Sequence, residues 1–479
     1  MRFICLLVCA LSSAVVEGSL FVLSESQGQK VIPEILVEED NSIWPYHHEV
    51  FEFHPEYKDL STGLVRPLCV LHTLGEGADD SYNFEKAVQQ CGRGGIVRLP
   101  DANYTIGRPL DIYLSNSVLD LHGWLSFSAN VSSWIENRMP LEFQNQSLAF
   151  VVRGNDYILE GNDKGGINGN GQAWYDYAKD YGNKFGRPMS LAIKNSKNVI
   201  IKNFSIVQPQ FWASLIWGSE NVYIRDFYVN ATSFNPESAS DQKNWLQNTD
   251  GSDTYQSHNV TYENMVYQGG DDCVALKPNS TSITLRNVTC HGGTGIAFGS
   301  IAQYSGVKDV IEDVFMEDIR LYPSNQCPAY QGVYFKSWLG YSIGQPPNGG
   351  GGGYGYCRNV TVKDVYMEDI WHPLVVQSDL TYLTLDREKF TDSGLFEWYD
   401  IHLKNFTGKA LGNRIAWMSC SKLTPCHDWT FEGVDIMPGK QDHPEIHYTC
   451  NNFVLGGNDG LNHCHPSNSK LETDNGGTL

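Results

Sequence analysis

The chain has 479 residues and a formal net charge of -21 at pH 7. This length is enough for a large hydrophobic core and by itself suggests two or three domains. The negative charge excludes nucleic acid as an obvious partner, because phosphate backbones are bound by clusters of Lys and Arg. An acidic surface is instead typical of a protein that must stay soluble at low pH.

The N-terminus has the pattern of a secretory signal. Arg2 is followed by an apolar run from Phe3 to Val16, and small residues around Gly18 offer a cleavage site. The run is too short for a membrane anchor, and no later segment approaches twenty consecutive apolar residues. We therefore predict a signal peptide at 1–18, a secreted, extracellular protein without a membrane partner, and a disordered polar tail at 465–479.

Cysteine and sequon counts agree with export. Ten cysteines remain after residue 18, and an even count in an exported protein favours disulfides over metal ligands. Connectivity cannot be read from sequence, but nearest-neighbour pairing predicts Cys273–Cys290 and Cys420–Cys426. The Asn-x-Ser/Thr sequons predict glycosylation at Asn103, Asn130, Asn145, Asn203, Asn230, Asn259, Asn279, Asn287, Asn359 and Asn405.

A short pattern recurs from about residue 198 onward. Asn or Asp is followed by four residues of alternating character and then by another Asn or Asp, as in 198–203, 221–226 and 259–264. The repeats are spaced by about 23 to 26 residues, with longer steps that indicate loop insertions. Short β-branched strands closed by Asn, Asp or Gly turns at this period are typical of a parallel β-helix.

We therefore predict an all-β fold, a single-stranded right-handed parallel β-helix with an N-terminal cap. A sandwich or a propeller is the alternative, but a propeller blade would repeat nearer forty residues. Residues 19–190 are assigned to the cap and first coils, with a helix at Phe84–Cys91 and a strand at Ile96–Leu99. Residues 191–464 are assigned to the catalytic β-helix region, and both parts belong to one domain.

Two acidic segments carry the chemistry. Asn248-Thr249-Asp250 precedes Gly270-Asp271-Asp272-Cys273 by about one coil. Three carboxylates at one site suit an oxocarbenium-like transition state, which needs an acid for the leaving oxygen and a base for water. An isolated Gly-Asp-Asp more often marks a turn, and neighbouring side chains on a strand face opposite ways. Asp271 and Asp272 therefore share a cleft only if Gly269-Gly270 bends the strand.

These residues resemble glycoside hydrolase family 28, the polygalacturonases and their relatives. The resemblance covers Cys69 to Cys464. Its landmarks are Gly166 to Trp174, Arg187-Pro188, the two acidic motifs, and Cys290-His-Gly-Gly-Thr-Gly295 with Gly299-Ser300. It implies an inverting hydrolase in which Asp271 is the general acid and Asp250 and Asp272 hold the attacking water. Inverting enzymes usually keep acid and base about 6.5–9.5 Å apart, which carboxylates on adjacent coils can meet.

The third motif departs from the family at one position. Polygalacturonases carry a His before the final Gly, where this chain has Thr294. His291 lies three residues earlier and is a candidate catalytic residue or a polar strand residue beside a Cys273–Cys290 bridge. Asn248 and Asp253 are candidate substrate-binding residues, and Asp253 is equally a turn residue.

The substrate-binding Arg-Ile-Lys of the family corresponds to Tyr334-Phe335-Lys336. Lys336 keeps one of two cations that would face a galacturonate carboxylate, while Tyr334 replaces a bidentate Arg. An aromatic ring suits the methyl face of a 6-deoxy sugar such as rhamnose, unless Tyr334 merely packs against Trp338. Trp338, Trp245 and Tyr341 are the aromatic residues that we expect to stack on sugars, with core packing as the alternative for each.

Both departures favour the exo-acting, rhamnogalacturonan-directed fungal branch of the family. Long insertions at 233–247 and 324–331 are expected to close one end of the cleft around a terminal sugar. We expect release of a terminal α-L-rhamnose from a pectic polysaccharide, and the alternative is an exo-polygalacturonase that releases galacturonate.

Two other classes of function remain. A calcium-dependent pectate lyase shares the predicted fold but not the three acidic motifs. A binding protein without catalysis would explain Thr294 but not the retained aspartates. No cofactor or metal site is predicted, and we expect a monomer.

Overall fold

The computed structural model describes residues 51–60, 62–179, 181–239, 244–385, 389–439 and 447–455, all within one compact unit. The predicted signal peptide, the predicted tail and Cys464 lie outside these residues. None of the helices that it describes is long and apolar enough to cross a membrane.

Strands dominate the described part of the chain. The first thirteen are β1 (Phe51–Lys58), β2 (Val65–Leu71), β3 (Ile96–Leu99), β4 (Asn103–Ile106), β5 (Leu110–Leu121), β6 (Trp124–Phe127), β7 (Met139–Leu141), β8 (Gln146–Glu160), β9 (Gly166–Asn168), β10 (Pro188–Val207), β11 (Ser214–Trp217), β12 (Glu220–Asn230) and β13 (Ser252–Tyr255). The others are β14 (His258–Gln268), β15 (Asp272–Leu276), β16 (Ser280–His291), β17 (Gly293–Ile301), β18 (Lys308–Tyr322), β19 (Ala329–Trp338), β20 (Tyr354–Leu380), β21 (Leu395–Ala410), β22 (Arg414–Ser419), β23 (Cys426–Met437), β24 (His447–Asn451) and β25 (Phe453–Leu455). The helices are α1 (Ser81–Cys91), α2 (Val131–Glu136) and α3 (Gln172–Ala178), with 3-10 turns η1 (Phe143–Asn145) and η2 (Pro236–Ala239).

The strands form long parallel runs in which each partner comes from the next coil. One run follows β10, β11, β13, β15, β17, β19, β20, β22 and β24. The other follows β12, β14, β16, β18, β20, β21, β23 and β25. The chain is thus a right-handed parallel β-helix, and the predicted fold class is confirmed.

Interior rows of aliphatic side chains hold successive coils together. Val222, Val260, Ile283 and Val314 occupy matching positions on four neighbouring strands, and all four are buried. A single coil cannot bury its own inner face, so each coil depends on its neighbours for its core. This dependence explains how several hundred residues form one unit.

The Asn and Asp residues of the sequence repeat form the corners of the coils. Asn198, Asn221 and Asn259 all have φ between 54° and 57°, a left-handed conformation that Asn tolerates better than most residues. Their side chains stack between coils, since Asn221 Nδ2 donates to Asn198 Oδ1 at 2.9 Å and Asn259 Nδ2 donates to Asn221 Oδ1 at 2.8 Å. The sequence repeat therefore arises from the backbone conformation that each corner of a coil requires.

The same geometry explains half of the sequons. Nδ2 of each of five sequon asparagines donates to an Asn, Asp or Glu of an earlier coil; they are Asn203, Asn259, Asn287, Asn359 and Asn405. A corner Asn followed by a β-branched strand readily spells Asn-x-Ser/Thr. Glycosylation itself stays a prediction.

The N-terminal part of the described chain begins with the hairpin of β1 and β2. Helix α1 starts at Ser81, three residues before the predicted helix, and β3 matches the predicted strand. The Cys69–Cys91 disulfide joins β2 to the end of α1. Phe84 of α1 is fully buried in the main core, so the helix packs onto the first strands.

Six further cysteines divide into two groups. Cys273 and Cys290 form a disulfide, as do Cys420 and Cys426, in agreement with the pairings expected from the sequence. Cys327 and Cys357 are buried free thiols, so nearest-neighbour pairing is wrong for these two. They lie on separate segments of the fold, Cys327 before β19 and Cys357 within β20.

Candidate active site

A tight turn between β14 and β15 brings the acidic residues together. Gly269 and Gly270 lie in this turn, where a Cβ atom would come within 2.2 Å of Tyr267 Oη or 2.5 Å of Leu246 Cβ. Two hydrogen bonds of Tyr267 fix the turn: Asp271 N donates to Tyr267 Oη at 3.1 Å, and Tyr267 Oη donates to Thr249 O at 3.1 Å. The bend that the two glycines were expected to supply is therefore present.

Three carboxylates converge at this turn. One oxygen from each of Asp250, Asp271 and Asp272 lies within 4.8 Å of the other two. Asp250 and Asp272 are buried, while Asp271 is partly exposed. Asp271 Oδ2 accepts from Asn248 N at 2.8 Å and Oδ1 accepts from Asp272 N at 2.9 Å. The backbone thus fixes the most exposed carboxyl group of the three.

The spacing of this trio is closer than the about 6.5–9.5 Å usual for inverting enzymes. Asp271 and Asp272 are adjacent in the chain, and the bond from Asn248 N holds the Asp271 carboxylate against the segment that carries Asp250. The separation alone does not predict inversion, which stays an expectation from the family resemblance.

Buried ammonium groups lie against the acids. Lys336 Nζ is 2.7 Å from Asp272 Oδ2. Lys277 Nζ is 3.2 Å from Asp253 Oδ1, 3.7 Å from Asp250 Oδ2 and 3.9 Å from Asp272 Oδ2. Asp253, a candidate substrate-binding residue, is fully buried and contacts Lys277, so the proposal that it binds sugar directly is not supported by its position.

Burial raises the pKa of Asp250 and Asp271 above their ordinary values. For Asp250, the charges of Asp253 and Asp271 raise the pKa further and Lys277 opposes them. For Asp271, the charge of Asp272 raises the pKa, while Lys336 and two backbone hydrogen bonds lower it. Crowded carboxylates cannot all be ionised, so the site can hold a protonated acid beside an ionised base.

Arg187 adds a third buried cation. Its guanidinium donates to Gln210 O at 2.9 Å and to Gln247 O at 3.0 Å. Burial lowers its pKa to about 10, so it remains charged at neutral and acidic pH. Four carboxylates, those of Asp250, Asp253, Asp271 and Asp272, therefore face three cations, and one proton shared among the acids would balance the charge.

Loops from distant parts of the chain form two rims beside the acids. The first rim joins Ser233 to Gln326, since Gln326 Nε2 donates to Ser233 O at 2.6 Å and Ser233 N donates to Gln326 Oε1 at 2.8 Å. It also contacts the turn between β14 and β15, because Asn244 Nδ2 donates to Gly270 O at 2.7 Å. The two insertions singled out in the sequence thus contact each other.

The second rim was not anticipated. Asn183 Nδ2 donates to Asn348 Oδ1 at 2.8 Å, and Gln144 Nε2 donates to Gln303 Oε1 at 3.0 Å. Asn348 lies in the loop after β19, so this loop reaches back past β17, β15, β13 and β11 to the segment before β10. The two rims meet where Arg187 Nη1 donates to both Gly182 O and Gln247 O.

Tyr334 does not have the expected environment. It is 4% exposed, its hydroxyl donates to Gln377 Oε1 at 2.6 Å, and its ring lies 5.1 Å from Lys336 Nζ. The ring is therefore occupied by an ammonium group of the protein and is not open to the methyl group of a deoxy sugar. Lys336 is 6% exposed.

The aromatic residues expected to stack on sugars also differ from expectation. Trp338 is fully buried, and its ring packs edge-on against Tyr382 with centroids 5.5 Å apart. Trp245 is buried with Tyr175 and Leu246. Because Trp338 presents no exposed ring face, its position does not support sugar binding, which stays a prediction. Tyr341 is exposed.

His291 lies on β16, outside the strand run that carries the acids. Its ring stacks on Tyr322 with centroids 5.2 Å apart, and burial lowers its pKa. We therefore drop His291 as a catalytic candidate. Thr294 lies opposite Asp272 on the next coil, where its hydroxyl donates to Gln331 Oε1 at 2.9 Å.

Sequence reasoning missed Lys277 and gave Arg187 no role. Asp253 is opposite Ala275 in the strand register, and Lys277 is two residues beyond Ala275, so the same strand face carries both groups. That signal becomes readable only when the register is known. The acidic trio is close enough to chelate a cation, but we assign it no metal, because two ammonium groups already lie within 4 Å of its carboxylates.

Comparison with known proteins gives a consistent result. The family described as "Glycosyl hydrolases family 28" matches residues 136–457. The chain is 44% identical over 384 residues to the Aspergillus flavus protein named "Putative galacturan 1,4-alpha-galacturonidase A", covering 77% of this chain and 87% of that protein. It is 33% identical over 393 residues to alpha-L-rhamnosidase rgxB of Aspergillus niger, covering 81% of this chain and 88% of that protein.

A solved structure supports the fold alone. Endo-xylogalacturonan hydrolase from Aspergillus tubingensis matches with a TM-score of 0.66 and 21% identity, covering 82% of this chain and 100% of that chain.

Proposed function

Because the chain belongs to glycoside hydrolase family 28 and is a glycoside hydrolase of pectic polysaccharide, we propose that it releases terminal galacturonate from homogalacturonan. This replaces the expectation of rhamnose release as the first reading. The relative that is 44% identical is named a galacturonidase, whereas the rhamnosidase relative is 33% identical.

The environment of Tyr334 is the observation that carries the choice of sugar. The case for rhamnose was an open aromatic face, and this face lies against the Lys336 ammonium group. Lys277, Lys336 and Arg187 together supply three buried positive charges. With Asp271 protonated, these charges balance those of Asp250, Asp253 and Asp272, so the site carries no net negative charge that would repel an anionic sugar.

The two rims support the exo mode. They meet at Arg187, beside the segment that bears Asn248 and Asp250, and a wall at this end leaves room for a terminal sugar. A long open groove would instead suit an internal segment of the polymer. The contact between Asn183 and Asn348 joins residues 165 positions apart, so this wall depends on two separate loops.

In the proposed reaction, Asp271 donates its proton to the leaving glycosidic oxygen. Its partial exposure and its raised pKa fit this role. Asp250 and Asp272 accept hydrogen bonds from a water molecule and take one proton as its oxygen attacks the anomeric carbon. The products are the free terminal sugar and a polymer shorter by one residue, and the acids regain their protonation states by exchange with solvent.

Release of α-L-rhamnose remains the second candidate function. It is supported by the replacement of the family's Arg by Tyr334 and by the rhamnosidase relative. For either sugar, we propose that the protein is secreted and acts on the polysaccharide as a monomer.

Product analysis tests the proposal. Purified protein is incubated with polygalacturonate and, separately, with rhamnogalacturonan, and the earliest products are separated by anion-exchange chromatography. Galacturonate as the sole early product from polygalacturonate is expected. Free rhamnose from the second substrate alone would favour the second candidate, and a ladder of oligomers would contradict the exo mode. Asp271→Asn protein is the matched control for contaminating activity.

The wall has its own test. Asn348→Ala removes the contact with Asn183, and we expect short oligomers to appear beside galacturonate. Asn137→Ala is the control, because its side chain donates to Ser133 O at 2.9 Å on α2. Unchanged products from Asn348→Ala would mean that this contact does not maintain the wall.

A further inference from the structure

Lys277 follows β15 directly and points its ammonium group into the acidic cluster. Its side chain is 4% exposed, and Nζ contacts Asp253, Asp250 and Asp272 at 3.2, 3.7 and 3.9 Å. The ring of Trp212 lies 4.6 Å from Nζ on another side, and Trp212 is itself buried. Removing an ammonium group from water costs several kcal/mol, so the position needs the acids around it.

The acids differ in how many ammonium groups lie close to them. Asp272 has two ammonium groups within 4 Å, those of Lys336 and Lys277. Within the described residues, Lys277 is the cation found within 4 Å of Asp250. Asp271 has neither ammonium group within that distance, and its carboxylate accepts backbone hydrogen bonds instead. The cluster therefore has positive charge on one side and the acid that substrate reaches on the other.

This asymmetry matters because the cluster must hold unlike protonation states. A base that activates water has to be ionised, while the neighbouring general acid has to be protonated. Burial and mutual repulsion favour protonation of every carboxylate in the cluster. A fixed ammonium group beside two of them favours the ionised form of those two and so directs the shared proton to the third.

We propose that Lys277 is a positioning residue whose ammonium group opposes protonation of Asp250 and thereby favours placement of the shared proton on Asp271. It acts through these carboxylates and not through contact with the sugar. The proposal rests on the acid and base roles proposed above, but not on which terminal sugar is released.

Several charged groups surround Asp250 and Asp272 and affect the outcome of the test. After burial, the charges of Asp253, Asp271, Lys277 and Asp272 affect the pKa of Asp250, in decreasing order of effect. The charge of Arg187 also interacts with Asp250. Asp272 faces Lys336 from β19. Among the cations of the described residues, Lys277 alone has its Nζ within 4 Å of both proposed bases, which makes it the informative residue to change.

The experiment compares the pH dependence of kcat/KM for wild type, Lys277→Met and Lys277→Arg, on the substrate that wild type cleaves fastest. For Lys277→Met, loss of the ammonium group should move the acidic limb of the kcat/KM profile to higher pH. For a shift of about one pH unit, kcat/KM should be about tenfold lower than that of wild type at one pH unit below the wild-type midpoint. Lys277→Arg keeps the positive charge, so the acidic limb of its pH profile should stay at the wild-type pH even if the maximal kcat/KM is lower. KM should change less than kcat in both variants.

Controls separate this idea from a loss of structure. Lys197→Met removes a surface lysine that pairs with Glu220 at 3.1 Å, and its profile should match wild type. If Lys277→Met does not fold, Lys277→Gln is the substitute, because it also removes the positive charge and should move the acidic limb in the same direction. A limb that stays in place in a folded Lys277→Met or Lys277→Gln would overturn the proposal. A limb that moves equally in Lys277→Met and Lys277→Arg would do the same.

Asp250→Asn distinguishes failure of the inference from failure of the function on which it rests. If this variant keeps wild-type kcat, Asp250 is not a base, and the role given to Lys277 fails with it. If Asp250→Asn is inactive while the folded Lys277→Met keeps the wild-type profile, the proposed acid and base roles stand and the inference about Lys277 alone is wrong.

Discussion

Lys336 Nζ lies 2.7 Å from Asp272 Oδ2, and both side chains are buried. A residue that the family resemblance presents as a substrate ligand is thus already paired with a carboxylate that we propose to be catalytic. Removing one member of a buried pair leaves the other uncompensated, which costs about 3–5 kcal/mol. Lys336 therefore contributes to the charge state of the site whether or not it also contacts substrate.

Lys336→Met should lower kcat and the free energy of unfolding together. Lys336 also lowers the pKa of Asp271, so its loss should keep Asp271 protonated to higher pH and move the alkaline limb of activity upward. A pH–rate profile with a parallel thermal melt checks this. An alkaline limb that moves downward would contradict the charge arrangement described.

Asp271→Asn should lower kcat by about 10²–10⁴-fold, the usual contribution of general acid catalysis. Binding of the polysaccharide should change little, because the Asn side chain can still accept a hydrogen bond from Asn248 N. Isothermal calorimetry with polygalacturonate and single-turnover kinetics measure the two effects separately. Wild-type turnover by this variant would remove Asp271 from the role of acid.

Asn244→Ala should reduce kcat more than it reduces stability. Its Nδ2 donates to Gly270 O and its Oδ1 accepts from Leu246 N at 2.9 Å, so its loss frees the turn that carries Asp271, at a cost of about 1 kcal/mol for each hydrogen bond. Asn137→Ala loses a similar amide-to-carbonyl bond on α2 and should leave kcat unchanged. Equal effects of the two substitutions on kcat would show that the turn does not depend on Asn244.

Asp309 offers a test of pH-dependent stability away from the acids. Burial raises its pKa to about 6, while Ala302 N donates to its carboxylate at 2.8 Å. A group with a raised pKa in the folded state stabilises below its unfolded pKa, and this contribution is lost as pH rises through about 6. Asp309→Asn should therefore be more stable than wild type at pH 7 but not at pH 4, as measured by urea unfolding. The reverse order would contradict this reasoning.

Glycan occupancy should follow corner geometry. Nδ2 is the atom that carries the glycan, and at Asn259 and Asn287 it donates to the neighbouring coil. Asn130 uses its side chain as a hydrogen-bond acceptor for Ser133 N, and its position is exposed. Glycopeptide mass spectrometry of protein from a secretory host should find Asn130 occupied more fully than the two corner residues. Full occupancy at the corners would show that stacking does not exclude glycans.

The sequence predicted the fold and the acidic residues because both depend on local patterns. Asn and Asp recur where the chain must adopt left-handed corners, and β-branched residues fill the strands between them. Gly269 and Gly270 predict the turn that leaves Asp271 partly exposed, since no larger residue fits at these two positions. Each of these signals lies within about one coil of the feature that it predicts.

Only the tertiary structure decided the surroundings of the acids. Contacts between different coils include the ion pair of Lys277 with Asp253, the hydrogen bond of Tyr334 to Gln377, the packing of Trp338 on Tyr382 and the hydrogen bond of Asn183 to Asn348. Insertions make the coils unequal in length, so register between strands cannot be counted along the chain, and a shift of one residue would turn each side chain to the other face. Which groups share the cleft is therefore set by coil stacking, while which residues build the coils is set by sequence.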